Sequence, residues 1–340
     1  MRRLPEGEKS RDGQGRFNEV SISTARQVAA SPHDFYHQTI VNMLTPLFEN
    51  ATPGVRLNRP LVIGHRGASG LAPENTLAAF RIAMRLGADG VELDVHLSAE
   101  GVPIVIHDKR VNRTTNSRGA VSRCTVQELQ RLDAGTWFER RLARRPRTRM
   151  MTRRLTASSF AGEPLPTLED ALALFESAAL ERIYIELKGS VASRELLLDR
   201  VLSLVRRSRL HRSVTLLSFD HAIIRRAKES DGGLRTAATF AASGRRLVST
   251  RSIIRAAEDS RADEVALQFG LVTKRRVDTL HERGIAVSVW TVNSKLAMRR
   301  VTACGVDSIM TNFPNRLREV LEGPPRRRVK TFRKRLGGRG

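Results

Sequence analysis

Only two of the 340 residues are cysteine, Cys124 and Cys304. Two isolated thiols make neither a disulfide framework nor a CxxC motif, so both are expected to be reduced. Long hydrophobic runs are missing as well. No apolar stretch approaches the ~20 residues that a bilayer span needs. Behind Met1-Arg2-Arg3 no apolar segment of signal-peptide type follows. The arginine pair alone is a weak match to a twin-arginine signal. A cytoplasmic location is the expectation. Aromatics are scarce, at 5% of residues. The basic runs therefore lack interleaved rings, and no DNA- or RNA-binding motif accompanies them. Specific nucleic-acid binding is not expected; non-specific binding through charge stays as a remote alternative.

Acid is the other shortage. The chain has 35 Asp and Glu against 59 Lys and Arg, a net charge of +24. Much of the excess is local. Residues 138–155 hold eight arginines against the single acid Glu139, and residues 323–340 hold eight basic residues and no acid. Charged blocks of this kind are ordinarily solvated. They also attract nucleic acid, acidic lipid headgroups or phosphate substrates loosely. A weak contact with an anionic membrane or another polyanion, through the basic loop and tail, is the partner expectation.

The organisation follows from the pattern of apolar residues. Residues 1–60 are read as an N-terminal extension, with a helix predicted around Ser31–Phe48 and breaks at Pro53-Gly54 and Pro60. From Leu61 onward, short apolar runs alternate with amphipathic segments. The runs are Leu61–Ile63, Val91–Leu97, Pro103–Ile106, Ile183–Leu187, Val214–Leu217, Arg235–Ala238, Glu264–Leu267, Ala286–Val289 and Asp307–Met310. Helices are predicted between most of them, from Thr76–Leu86 to Ser294–Thr302. Pro73-Glu74-Asn75 reads as a start signal for the first. Thr167 reads as a cap for another, with Asp170 in the box position. This rhythm over about 250 residues is that of an α/β TIM (β/α)₈ barrel, here spanning 61–321, with a basic tail over 322–340. Nine runs are one too many for eight strands. The link Ser98-Ala99-Glu100-Gly101 is too short for a crossover helix, so one run is expected to be a hairpin arm or irregular return. The arginine-rich stretch 138–163 is read as a loop insertion.

Charged residues gather where these strands end, which in such a barrel is the catalytic face. The first ends in His65-Arg66, the second carries Glu92 and Asp94, the third ends in His107-Asp108, and the fourth carries Glu186 and Lys188. Residues two apart on a strand point to one side, and charges inside apolar strands are costly unless they bind something or one another. Glu92, Asp94 and Glu186 offer an oxygen-rich site for one hard divalent cation, Mg²⁺ or Ca²⁺. A structural salt bridge such as Glu186–Lys188 is the plainer reading of the same residues. His65 and His107 can supply a general base and a general acid. Arg66 presents a planar fork of donors suited to phosphate oxygens. Together these groups amount to a phosphoryl-transfer site. The glycines around His65-Arg66 are expected to let backbone and substrate approach closely.

Seven segments, in order, carry a family resemblance: "GHRGASGLAPENTLAAF", "GADGVELDVHLSAEGVPIVIHD", "LPTLEDAL", "YIELK", "LLSFD", "VWTVN" and "GVDSIMTNFP". From about Leu61 to Leu317 the chain resembles the glycerophosphodiester phosphodiesterase family. The resemblance implies a TIM barrel of the PLC-like phosphodiesterase type that hydrolyses glycerophosphodiesters to glycerol 3-phosphate and an alcohol. It implies His65 and His107 as the acid/base pair, Glu92, Asp94 and Glu186 as metal ligands, and Arg66 on the phosphate with Lys188 as a second positive contact. It implies that Phe219 and Trp290 line the pocket; ordinary packing at the barrel top serves as the alternative. Asn312 stands where the family often has aspartate. Attack by water and attack by the glycerol 2-hydroxyl through a cyclic phosphate both remain open, as does the assignment of acid and base. A phospholipase D-like or other lipid phosphodiesterase is the alternative activity on the same barrel.

Overall fold

The computed structural model describes residues 59–156, 158–189, 192–242 and 248–323. The expected N-terminal extension, its helix over Ser31–Phe48, and nearly all of the basic tail lie outside the described residues. The chain enters the fold at β1 (Leu61–His65), whose three central residues are buried. Helix α1 (Leu77–Arg85) follows, then β2 (Gly90–Leu97) and a three-residue strand, β3 (Pro103–Val105). Three helices, α2 (Val126–Gln130), α3 (Thr136–Ala143) and α4 (Pro146–Leu155), precede α5 (Leu168–Glu176). The Thr167–Asp170 capping box opens α5 as expected. A regular alternation then runs through β4 (Arg182–Leu187), α6 (Arg194–Arg207), β5 (Val214–Ser218), α7 (His221–Ser230) and β6 (Arg235–Phe240). It continues with α8 (Thr250–Ser260), β7 (Glu264–Gln268), α9 (Lys274–His281), β8 (Ala286–Trp290), α10 (Lys295–Ala303), β9 (Ser308–Thr311) and α11 (Pro314–Glu322).

β1 pairs in parallel with both β2 and β9, so the sheet closes on itself. The ring contains eight parallel strands, β1, β2 and β4 to β9. The surplus run is β3. It pairs antiparallel with β2, Val95 opposite Val105 and Leu97 opposite Pro103. The link between them is a tight turn in which Ser98 N donates to Val102 O and Gly101 takes a φ of +72°. His107 therefore follows a hairpin arm and does not end a barrel strand.

Outward-facing strand residues such as Val91, Leu93, Ile183 and Ile185 pack against Phe80 of α1, Phe175 of α5 and Leu198 of α6. Val265, Leu267, Val287 and Val289 do the same against α8 to α10. The inward-facing residues Ile63, Tyr184, Leu217, Ala237 and Met310 fill the lumen. Below them the Tyr184 hydroxyl donates to Glu264 Oε1 at 2.8 Å and lies 3.0 Å from Ser308 Oγ. All three residues are buried, so this network closes the barrel floor.

The arginine-rich stretch is helical, not a loop. Asp133 caps α3 by accepting from Gly135 N and Thr136 N. Phe138 and Leu142, four apart, are its buried pair. Pro146 starts α4 at a position where its missing N–H costs nothing, and Thr152 Oγ1 anchors that helix to Leu71 O at 3.0 Å. Six arginines among the eighteen residues of α3 and α4 mask the i,i+4 apolar pattern.

Tyr184→Phe removes the donor of a buried carboxyl oxygen. We expect a loss of about 1–3 kcal/mol, read from urea unfolding, with the fold retained.

Candidate active site

β1 delivers His65 to the barrel mouth. His65 Nδ1 lies 2.8 Å from Asn312 Oδ1. An amide oxygen only accepts, so this network puts the ring proton on Nδ1. Nε2 is then bare; it lies 3.4 Å from Thr291 Oγ1 and 3.9 Å from Glu92 Oε2. Burial first, and the Arg66 cation second, push the imidazole down to about 4.

The chain turns sharply at Arg66, whose φ of 55° is left-handed, a conformation costing an L-residue roughly 1–2 kcal/mol. The turn aims Arg66 N at Glu92 Oε2, 2.8 Å away. It also brings Nε to 3.0 Å from Asp94 Oδ2 and Nη1 to 2.9 Å from Glu74 Oε1. Gly67 has a φ of 75°, and a Cβ there would meet the Ala79 backbone at 2.6 Å. A Cβ on Gly64 would meet Ala83 Cβ at 2.9 Å. The close approach these two glycines permit is to α1.

Register brings the acids together. His65 sits opposite Glu92 on β2, and Asp94 opposite Glu186 on β4. One ligand atom from each of Glu92, Asp94 and Glu186 lies within 4.8 Å of the others, and all three residues are buried. Lys188 Nζ stands 3.2 Å from Asp94 Oδ1 and 2.6 Å from Glu186 Oε1. Neither oxygen receives a well-aligned hydrogen bond. Asn75, also left-handed with a φ of 58°, donates from Nδ2 to Asp94 Oδ2 at 2.8 Å. Burial opposes ionisation of Asp94, but Arg66 and then Lys188 outweigh it and hold the carboxyl well below its usual range. Burial and the Asp94 charge push Glu92 well above the usual range, and Glu186 up to about 7. Three crowded acids, two of them disfavoured as anions and two of their oxygens poorly bonded, suit a hard cation. The cluster could hold a divalent ion.

His107 joins from the β3 side. Its Nδ1 lies 2.7 Å from Asp108 Oδ1, and its carbonyl receives His96 Nε2 at 3.0 Å. Burial lowers the imidazole against the pull of Asp94. Arg113 grips Asp108 through Nε at 2.7 Å and Nη2 at 3.0 Å. The same guanidinium grips Glu74 through Nη1 and Nη2, both at 2.8 Å. Glu74, Asn75, Asp108 and Arg113 thus belong to the site, although sequence reasoning did not assign them. Pro73-Glu74-Asn75 had a helix-start reading, but the cap of α1 is Thr76, which accepts from Ala79 N. The carboxylate beside His107 was the visible signal for Asp108.

A cavity of about 180 Å³ is lined by His65, Arg66, Glu92, His107, Glu186, Lys188, Phe219 and Trp290, with four neighbours. Of the nine expected site residues only Asp94 is away from this wall, fully buried beneath it. Phe219 and Trp290 meet edge to face at 5.6 Å, and Lys188 Nζ lies 5.9 Å from the Phe219 ring centre. Cations, carboxylates and two imidazoles around one small cavity can bind a phosphate group and move protons on both sides of it.

Residues 65–316 match the Glycerophosphoryl diester phosphodiesterase family. The chain is 32% identical over 259 residues to a glycerophosphodiester phosphodiesterase of Caldanaerobacter subterraneus subsp. tengcongensis, covering 76% of this chain and 96% of that protein. It is 27% identical to a glycerophosphodiester phosphodiesterase of Agrobacterium tumefaciens str. C58, whose crystal structure matches with a TM-score of 0.60 over 76% of this chain and 98% of that one. A phosphodiesterase of Oleispira antarctica, solved with the product sn-glycerol-3-phosphate, shares the fold. It is 23% identical, with a TM-score of 0.67 and coverage of 78% of this chain and 97% of that one.

The Asp108 carboxyl is held down to about 2, first by its hydrogen bonds from Arg113, against burial, and then by His107. Arg113→Met should move its titration upward toward the ordinary aspartate range near ~3.9, followed by carbon-13 NMR of the side-chain carboxyl.

Proposed function

The chain belongs to the glycerophosphoryl diester phosphodiesterase family and is a phosphodiesterase of that kind; we propose that it hydrolyses glycerophosphodiesters to glycerol 3-phosphate and an alcohol with a divalent cation, Mg²⁺ or Ca²⁺. The observation that carries this reading is the convergence of two imidazoles, two cations and a buried acid triad on one cavity. Glu92, Asp94 and Glu186 would hold the ion, which when bound supplies a Lewis acid for the phosphate oxygens. Arg66 and Lys188 are the protein's own phosphate contacts. Each is tied to Asp94, so their positions are preset. Phe219 and Trp290 form the apolar wall against which the alcohol rests.

The two histidines differ in their partners, and this difference supports separate roles for them. His65 is held by a neutral amide and presents a bare Nε2, which suits it to take a proton from the attacking O–H. His107 is held by a carboxylate, which offsets part of the lowering by burial and suits it to give a proton to the leaving alcohol. In the step a P–O bond forms to the attacking oxygen and the P–O bond to the alcohol breaks. One proton goes to His65 and one leaves His107. The same geometry serves water and the glycerol 2-hydroxyl.

The eight arginines of 138–155 are exposed, and none forms an ion pair among the described residues. They support weak contact with an anionic surface. A cytoplasmic location is proposed on sequence grounds; no helix among the described residues is long and apolar enough to cross a membrane.

His65→Ala and His107→Ala should each lower kcat by about 10²–10⁴ with unchanged circular dichroism; wild-type rates in either would sink the assignment. With a p-nitrophenyl phosphodiester, whose leaving group needs no protonation, His107→Ala should regain most of its rate and His65→Ala should not. The reverse pattern would exchange the roles. EDTA should abolish turnover of glycerophosphodiesters and added Mg²⁺ or Ca²⁺ should restore it; full activity in the chelated protein refutes the metal.

A further inference from the structure

The arginine-rich insertion and the barrel rim enclose a second pocket of about 150 Å³, room for about five waters at ~30 Å³ each. Arg141, Arg145 and Thr148 line it from the insertion. Asn293 and Asn312 line it from the ends of β8 and β9. No carboxylate is in its wall.

What these groups have left to offer is almost entirely donors. Asn293 Oδ1 already accepts from Asn312 N at 2.9 Å. Asn312 Oδ1 already accepts from His65 Nδ1. Both amide oxygens already accept, and neither Nδ2 has a partner among the described residues. Arg141 and Arg145 are exposed and make no ion pair there. The side chains of this wall thus offer hydrogen-bond donors in excess of acceptors.

We propose that this pocket is a second oxyanion site, separate from the catalytic cavity, and that it takes a phosphate group. Forked guanidiniums and amide donors match the several acceptor oxygens of a phosphate better than a single acceptor. The ligand shares Asn312 with His65. An anion on Nδ2 polarises the amide and strengthens Oδ1 as the acceptor of the His65 proton. Occupancy therefore pins the tautomer of His65 from outside the cavity. The binding claim is independent of the reaction; only the link to His65 rests on the catalytic reading.

The test is titration of the full chain with inorganic phosphate at low salt, followed in proton–nitrogen NMR spectra by the side-chain amides of Asn293 and Asn312. In the wild type both signals should shift saturably. In Arg141→Met/Arg145→Met, whose exposed side chains leave the core intact, the affinity should fall at least tenfold. In Lys188→Met, which weakens the catalytic cavity instead, the response should persist. Signals that do not move, that move equally in the double arginine variant, or that stop moving in Lys188→Met would overturn the site. A short-chain phosphatidic acid as second probe separates the sources: tighter binding than inorganic phosphate marks a lipid headgroup, and weaker binding marks a free phosphate. A His65 Nδ1 signal that ignores saturating phosphate would overturn the coupling while leaving the site in place.

Discussion

The Asp94 carboxylate has no solvent exposure, and much of the barrel mouth is arranged around it. An ion so placed costs several kcal/mol unless its partners come to it. Three separate segments supply them. The β1 turn brings Arg66, the segment before α1 brings Asn75, and the end of β4 brings Lys188. Two of these partners, Arg66 and Asn75, sit in the left-handed backbone region to reach it. The strain is local and the compensation is electrostatic. The cations that neutralise Asp94 are also those that face the cavity, so stabilising the fold and preparing the site are one arrangement.

An outer layer repeats this economy. Arg113 joins Glu74 to Asp108, and through them Arg66 to His107. One guanidinium thus ties the Arg66 side chain to the His107 imidazole on the other side of the mouth. All three of its nitrogens donate to these two carboxylates, which fixes its geometry and leaves its charge spent on positioning.

The residues legible in the sequence were those on strands or just past a strand end. Alternation fixes which way Glu92, Asp94 and Glu186 point, and the parallel pattern fixes which end of each strand they occupy. The residues that escaped act from loops, where no period governs direction. Glu74 and Asn75 looked like a helix start because their types suit one. Arg113 stands in a short turn among other arginines and had no distinguishing neighbour. Local chemistry also hid α3 and α4, since a helix needs only one apolar stripe and theirs is two or three residues wide. The surplus strand was visible as a count, but its identity depended on a pairing that only the register of Val95 with Val105 displays.

That hairpin has a consequence for the order in which the site can assemble. Ile106 N donates to Asp94 O, so Glu92, Asp94 and His107 lie on one antiparallel unit of consecutive chain. Hairpins of this size close in about 1–10 μs. The contact between His65 and Asn312 instead spans 247 positions and must wait for β1 to meet β9. Closing so long a loop is slow because its entropy is lost before its contacts form. Two of the three acids and His107 can therefore be in register while the ring is still open, and His65 gains its partner only when β1 meets β9.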